Sequence, residues 1–142
     1  MTVIRAARLA DADAVFGLLE QLALSYTPDR AAFDVTFELF VADDSYASLL
    51  VAEDANGVVR GYALTTVTRL LYTNGNSAQL QELVVDENTR GQRIGTSLLA
   101  ATEEECRSRG VRQLSVASRR SAGFYERLGY MSTADYLKRT FD

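Results

Sequence analysis

The sequence predicts an α/β domain: a mixed sheet with helices packed on both of its faces. Three observations lead there. Short apolar runs separated by turn signals fill the middle of the chain, the pattern of hairpins. Stretches with a 3.6-residue apolar period lie before and after those runs. In the last third, strand-like and helix-like segments alternate, as crossover units do. The 142 residues suit one domain, 1–142, with one core, and 47% of them are apolar.

Taken in order, Val3 to Ala6 reads as a short first strand. Asp11 or Asp13 can cap the helix that follows. Val15, Leu18, Leu19, Leu22 and Tyr26 keep the helical period, so that helix is amphipathic to about Leu24. Thr27-Pro28 is a restart signal, a cap followed by proline at the first helical position. Phe33, Phe37, Phe40 and Val41 then share one helical face and read as core. Ser48 to Glu53 is a strand. Asn56-Gly57 accepts positive φ cheaply and turns the chain into a returning strand, Val58 to Val67. Arg69 to Ser77, with Asn74-Gly75-Asn76, reads as a loop, and a central strand follows near Ala78 to Val85. Ile94 to Arg109 is a helix that Gly110 terminates. Glu103 with Arg107 and Glu105 with Arg109 are i,i+4 pairs on its solvent face. Gln113 to Ala117 is a strand, Ser121 to Leu128 a short helix, and Tyr136 to Thr140 a last strand.

Composition removes several function classes. The net charge of −4 argues against a nucleic-acid partner. No stretch approaches the roughly 20 apolar residues of a membrane span. The opening MTVIRAARLADADA lacks a basic-then-apolar leader pattern, and one cysteine cannot form an internal disulfide. A cytoplasmic location is therefore expected. Histidine is absent, which removes Ser-His-Asp and Cys-His chemistry and argues against a zinc enzyme; no metal is expected.

The stretch from Gln79 to Leu99, QLQELVVDENTRGQRIGTSLL, carries the first chemical signal. It runs from a buried strand through a glycine-containing loop into a helix. A helix start presents N–H groups with no partner inside the helix, and its dipole favours anions. Gly91 and Gly95 let backbone approach a ligand closely. The loop holds neither G-x-x-x-x-G-K-[ST] nor G-x-G-x-x-G, so a nucleotide gripped in either of those ways is not expected. About 30 residues downstream lies RRSAGFYERLGY, from Arg119 to Tyr130.

Together the two segments resemble the GNAT superfamily of N-acetyltransferases. That family's phosphate loop reads Arg/Gln-x-x-Gly-x-Gly/Ala. Arg90 fills its first position and Gly95 its last, Gly91 is common at the second, and the fourth departs, being Arg93. The later motif resembles A-x-x-F-Y-E-x-x-G-F/Y, matched by Phe124, Tyr125, Glu126, Gly129 and Tyr130. Ser118 stands where many members carry asparagine, and Ser121 where many carry alanine. The resemblance covers essentially the whole chain in element order. It implies a mostly antiparallel sheet with a splayed central strand, and acetyl-CoA as co-substrate. It places the CoA pyrophosphate on Arg90, Gly91, Gln92, Arg93, Ile94, Gly95 and Thr96. It pairs the pantetheine arm with the backbone of Leu83, Val84 and Val85. It makes Tyr125 the acid that protonates the leaving thiolate. A phenol near pKa 10 can serve a thiol near 8.5 without a large shift. Glu82 becomes a candidate general base, because an amine is rarely neutral at pH 7. Many members place an acid there or one position earlier, where this chain has Gln81. Strand alternation puts Gln81 and Glu82 on opposite faces.

Cys106 lies about 11 residues along the helix from Gly95, roughly 16 Å away, with no basic activator. Direct attack by the amine in a ternary complex is therefore expected over an acetyl-cysteine. The resemblance implies that the first two helices and the loop from Arg69 to Ser77 border the acceptor side. Their aromatics and Asp29, Asp34, Glu38, Asp43 and Asp44 suit a small amine or a peptide N-terminus. An acyl-CoA-binding regulatory module without turnover, or another acyl donor, stays open at this point, as does a homodimer.

Overall fold

The computed structural model describes residues 1–22, 26–89, 93–118 and 122–141. Its elements are β1 (Val3–Ala6), α1 (Ala12–Leu22), α2 (Arg30–Ala42), β2 (Ala47–Glu53), β3 (Val59–Leu70), β4 (Gly75–Val85), α3 (Ile94–Ser108), β5 (Leu114–Val116) and α4 (Ala122–Arg127). Among the described residues the strands form one sheet in the order β1-β2-β3-β4-β5. The first four pair antiparallel and β5 joins β4 in parallel, so the sheet is mixed and mostly antiparallel as expected.

Two apolar clusters fill the two faces. Val15, Leu18 and Phe37 from α1 and α2 pack on Leu49, Val51, Tyr62 and Val84. On the other face Ile94, Leu98 and Leu99 of α3 and Tyr125 of α4 pack on Ala52, Ala63 and Leu80. Gly61 makes the second face tight. A Cβ there would stand 2.9 Å from the Val84 carbonyl oxygen and 3.0 Å from Leu98 Cδ1, so only glycine lets α3 lie this close to β3.

Four expectations need correction. The helix after the first one is capped by Asp29, whose carboxylate accepts from the Ala32 N–H at 3.0 Å; Thr27-Pro28 lies outside it. A carboxylate at the helix N-terminus both satisfies a free N–H and meets the dipole, which outweighs the proline signal. The segment from Arg69 to Ser77 is not a loop. Arg69 pairs with Asn76 and Leu70 with Gly75, leaving a four-residue tip at 71–74. Asn74 (φ 56°) and Gly75 (φ 149°) supply the positive φ that closes it. No strand forms at 136–140; Tyr136 and Leu137 there are 69% and 88% exposed and have no strand partner among the described residues. The helix thought to reach Leu24 is described to Leu22, and the three residues after it lie outside the described set.

The fourth correction concerns β4. Leu64 pairs with Glu82 but Thr65 pairs with Leu80, so Gln81 is an extra residue in the ladder. This β-bulge breaks the alternation. Gln81 Nε2 donates to Thr66 Oγ1 at 2.9 Å, and the Tyr62 hydroxyl donates to Glu82 Oε1 at 2.7 Å. Both side chains therefore lie on the α1/α2 face, not on opposite faces. Among the described residues no helix is long and apolar enough to cross a membrane.

Candidate active site

The register between β4 and β5 ends at Leu80 with Val116, while β4 continues to Val85. Beyond Leu80 no described residue pairs with the β5 side of β4, so the sheet splays there. Leu83, Val84 and Val85 form this free stretch. Their side chains pack into the sheet faces, Val84 toward α1 and α2, Leu83 and Val85 toward α3. Only their backbone is left for a ligand.

The end of β4 is held in place by a carboxylate. Asp86 takes a bond from Arg60 Nη1 at 3.1 Å, and Arg60 also grips Asp54 at 2.9 Å. The Asn88 backbone N–H and then Arg60 hold the Asp86 carboxyl below its ordinary range. Thr89 donates its hydroxyl to the Asp86 carbonyl at 2.8 Å. Gln21 of α1 bonds both Asp86 and the Glu87 N–H. The chain between β4 and α3 thus leaves the sheet at a fixed angle. Sequence reading missed this latch, because its members are scattered over 65 residues and no local pattern joins them.

Arg90, Gly91 and Gln92 of the candidate phosphate loop lie outside the described residues, as does Ser121. Arg93 is described, and it explains the departure from the family pattern. It caps α3 with φ 58° and ψ 27°, the left-handed conformation that glycine adopts freely and other residues adopt at a cost. Its side chain is exposed. Ile94 is 2% exposed and its side chain is core. Ile94, Gly95 and Thr96 form the first turn of α3, where N–H groups lack intrahelical partners. Gly95 faces two other parts of the site. A Cβ on it would lie 3.5 Å from Val85 Cγ2 and 3.8 Å from Phe124 Cζ. The helix start, the free end of β4 and α4 therefore converge at one point. Ser118 is exposed, two residues past β5.

Tyr125 is buried in the cluster beneath α3, edge-on to Phe124 at 5.0 Å and to Tyr130 at 5.7 Å between ring centroids. Burial pushes its hydroxyl above the ordinary phenol value, so it stays protonated. The Tyr130 hydroxyl donates to Glu103 at 2.6 Å, which fixes that ring against Tyr125. Cys106 is buried, and burial pushes its thiol up, the opposite of what activates a nucleophile.

On the opposite face a cavity of about 360 Å³ opens between α1, α2 and the sheet. Phe33, Phe37, Phe40 and Leu64 line it, with Tyr62 and Glu82. Burial first, and then the Glu82 carboxylate, push the Tyr62 phenol far up, so Tyr62 remains a hydrogen-bond donor to Glu82. The bond from Tyr62 to Glu82 depends on the bulge. Among the described residues no group of three His, Cys, Asp or Glu is placed to hold a metal ion.

Comparison with known proteins bears on the family and the fold. The family described as Acetyltransferase (GNAT) domain matches residues 45–132. The chain is 34% identical to aminoalkylphosphonate N-acetyltransferase of Salmonella typhimurium over 131 residues, which is 89% of this chain and 83% of that protein. It is 30% identical to glucosamine 6-phosphate N-acetyltransferase 1 of Oryza sativa subsp. japonica over 132 residues, 90% of this chain and 80% of that protein. In fold it matches the crystal structure of glucosamine-6-phosphate N-acetyltransferase from Arabidopsis thaliana with a TM-score of 0.87 at 22% identity, covering 100% of this chain and 99% of that one.

Proposed function

The chain belongs to the GNAT acetyltransferase family, and from that premise we propose that it moves an acetyl group from acetyl-CoA to a small primary amine by direct attack. The observation that carries the reading is the convergence at Gly95 of the α3 N-terminus, the unpaired end of β4 and α4. One point then offers N–H donors for phosphate, free strand backbone for an extended arm, and a protonated phenol nearby.

In this reading the first turn of α3, Ile94 to Thr96, takes the pyrophosphate on backbone N–H groups, with the exposed Arg93 guanidinium beside it. The pantetheine arm extends along Leu83 to Val85 in place of the missing β5 residues. A β4 backbone N–H polarises the thioester carbonyl. The amine arrives from the α1/α2 face. Its nitrogen forms a bond to the carbonyl carbon, the carbon–sulfur bond breaks, and the thiolate takes the Tyr125 proton. The proton lost by the amine passes to the Glu82 carboxylate. Tyr125 and Glu82 sit on opposite faces of the sheet, and the splay past Leu80 is where an acyl group can lie between them.

We take the enzyme to be one cytoplasmic domain. The relatives' names point to acceptors that carry an amine together with a phosphate or phosphonate, and the amine is the part carried over to this chain.

Binding of acetyl-CoA tests the reading. At a hundredfold excess over Kd it stabilises the native state by about 2.7 kcal/mol, which a thermal melt detects. Gly95→Glu puts a carboxylate at the anion site, and its Cβ meets only ordinary contacts, so the fold survives and binding weakens. A wild-type chain that binds no acetyl-CoA by melting or calorimetry ends this reading.

A further inference from the structure

The α1/α2 cavity says what kind of amine it can hold. Its wall is aromatic: Phe33 stacks on Phe37 with ring centroids 5.1 Å apart, and Tyr26, Phe40 and Tyr62 line it as well. Its described lining includes two charged residues, Asp29 and Glu82, and both are acids. No described arginine or lysine lines it. Two cations stand near its rim. Arg30 is bound to Asp13 and Asp34, each at 2.8 Å, and rests against the Phe16 and Phe33 rings. Lys138 has its ammonium 5.9 Å from the centre of the Tyr26 ring.

Resting on the acetyltransferase reading above, we infer that the acceptor is a small amine with one apolar, preferably aromatic, body and no anionic group. The aromatic wall takes the body and the Glu82 carboxylate takes the ammonium end. A phosphate in this cavity would lose its water, gain no cation from the lining and face two carboxylates. Each of those raises its free energy. An ammonium meets the reverse situation: its charge is complementary to Glu82, and aromatic faces attract cations as well. The volume lies at the lower end of the roughly 300–1,000 Å³ that small-ligand sites span, enough for a single-ring amine. Tyr62 reinforces the choice. Its hydroxyl donates to Glu82 Oε1 and leaves the other carboxylate oxygen for the amine.

The test compares kcat/KM for three acceptors at one saturating acetyl-CoA concentration, read as CoA release. The acceptors are phenethylamine, aminomethylphosphonate and an amino-sugar phosphate. Phenethylamine is expected to lead either anionic amine by about a hundredfold or more. Thr36→Arg adds a cation to the cavity wall from an exposed position on α2, so folding is retained. It is expected to narrow the preference by roughly tenfold or more, by repelling the ammonium and attracting the anion. Equal or faster turnover of either anionic amine overturns the inference and leaves the acetyltransferase reading standing. Turnover of none of the three by a chain that binds acetyl-CoA also overturns it. A chain that does not bind acetyl-CoA removes the reading on which the inference rests.

Discussion

The two faces of the sheet are built to opposite rules. Under α3 the packing closes: small residues such as Ala52, Ala63 and Gly61 let the helix lie against the strands, and the side chains interlock. Under α1 and α2 large rings meet the same sheet and leave a cavity of about 360 Å³. In the proposed reading, the closed face carries the donor-side groups and the open face takes the acceptor. Rigidity and room are thus divided between two sides of one strand, β4. Its bulge at Gln81 assigns Glu82 to the open side, and its unpaired end belongs to the closed side.

Three substitutions and one control break or sharpen that contrast, taken from the largest expected effect. Tyr125→Phe deletes one hydroxyl on the closed face and keeps the ring. The single-turnover rate should fall by roughly 10²-fold to 10⁴-fold while acetyl-CoA affinity holds. A rate that survives the change removes Tyr125 as the acid. Because burial raises the Tyr125 pKa, any loss of activity from its ionisation belongs above pH 10 and not below it.

Gly61→Ala tests closeness itself. The new methyl would meet the Val84 carbonyl at 2.9 Å, and backbone cannot swing aside. A loss of about 1–3 kcal/mol in denaturant unfolding is expected. Ala32→Val adds carbon to the exposed wall of the cavity instead, where a surface change costs within about 0.5 kcal/mol. Similar losses at both positions would mean the faces do not differ in packing.

Apart from the Ala32→Val control, Arg93→Gly is the smallest. Glycine relieves the left-handed strain of about 1–2 kcal/mol but adds backbone entropy of about 0.5–1 kcal/mol to the unfolded chain. A net gain of up to about 1 kcal/mol should appear as a higher melting temperature. The same variant should bind acetyl-CoA less tightly, since it loses a guanidinium beside the phosphate site. A melting temperature that falls would show that Arg93 makes stabilising contacts which outweigh its strain.

Most of the architecture was legible because it is written locally. The periodicity of Phe33, Phe37, Phe40 and Val41, the turn at Gly57, and the stop at Gly110 all act within a few residues. The proposed donor half rests on local signals as well. Gly95, Phe124, Tyr125 and Gly129 lie in two short motifs, each confined to a few neighbouring residues. The misreadings arose where two local signals competed or where pairing between strands decided. A cap at Asp29 prevailed over the neighbouring Thr27-Pro28. Gly75 to Ser77 became strand because β3 could pair with it. By itself, then, the sequence determined most of the element order and the family, since each depends on neighbours in the chain. Tertiary structure alone decided that Glu82 faces the aromatic cavity, that Tyr62 holds it, and that Asp86 fixes the exit from β4. Those outcomes depend on a register shift and on hydrogen bonds between residues 20 to 65 positions apart, which no local pattern encodes.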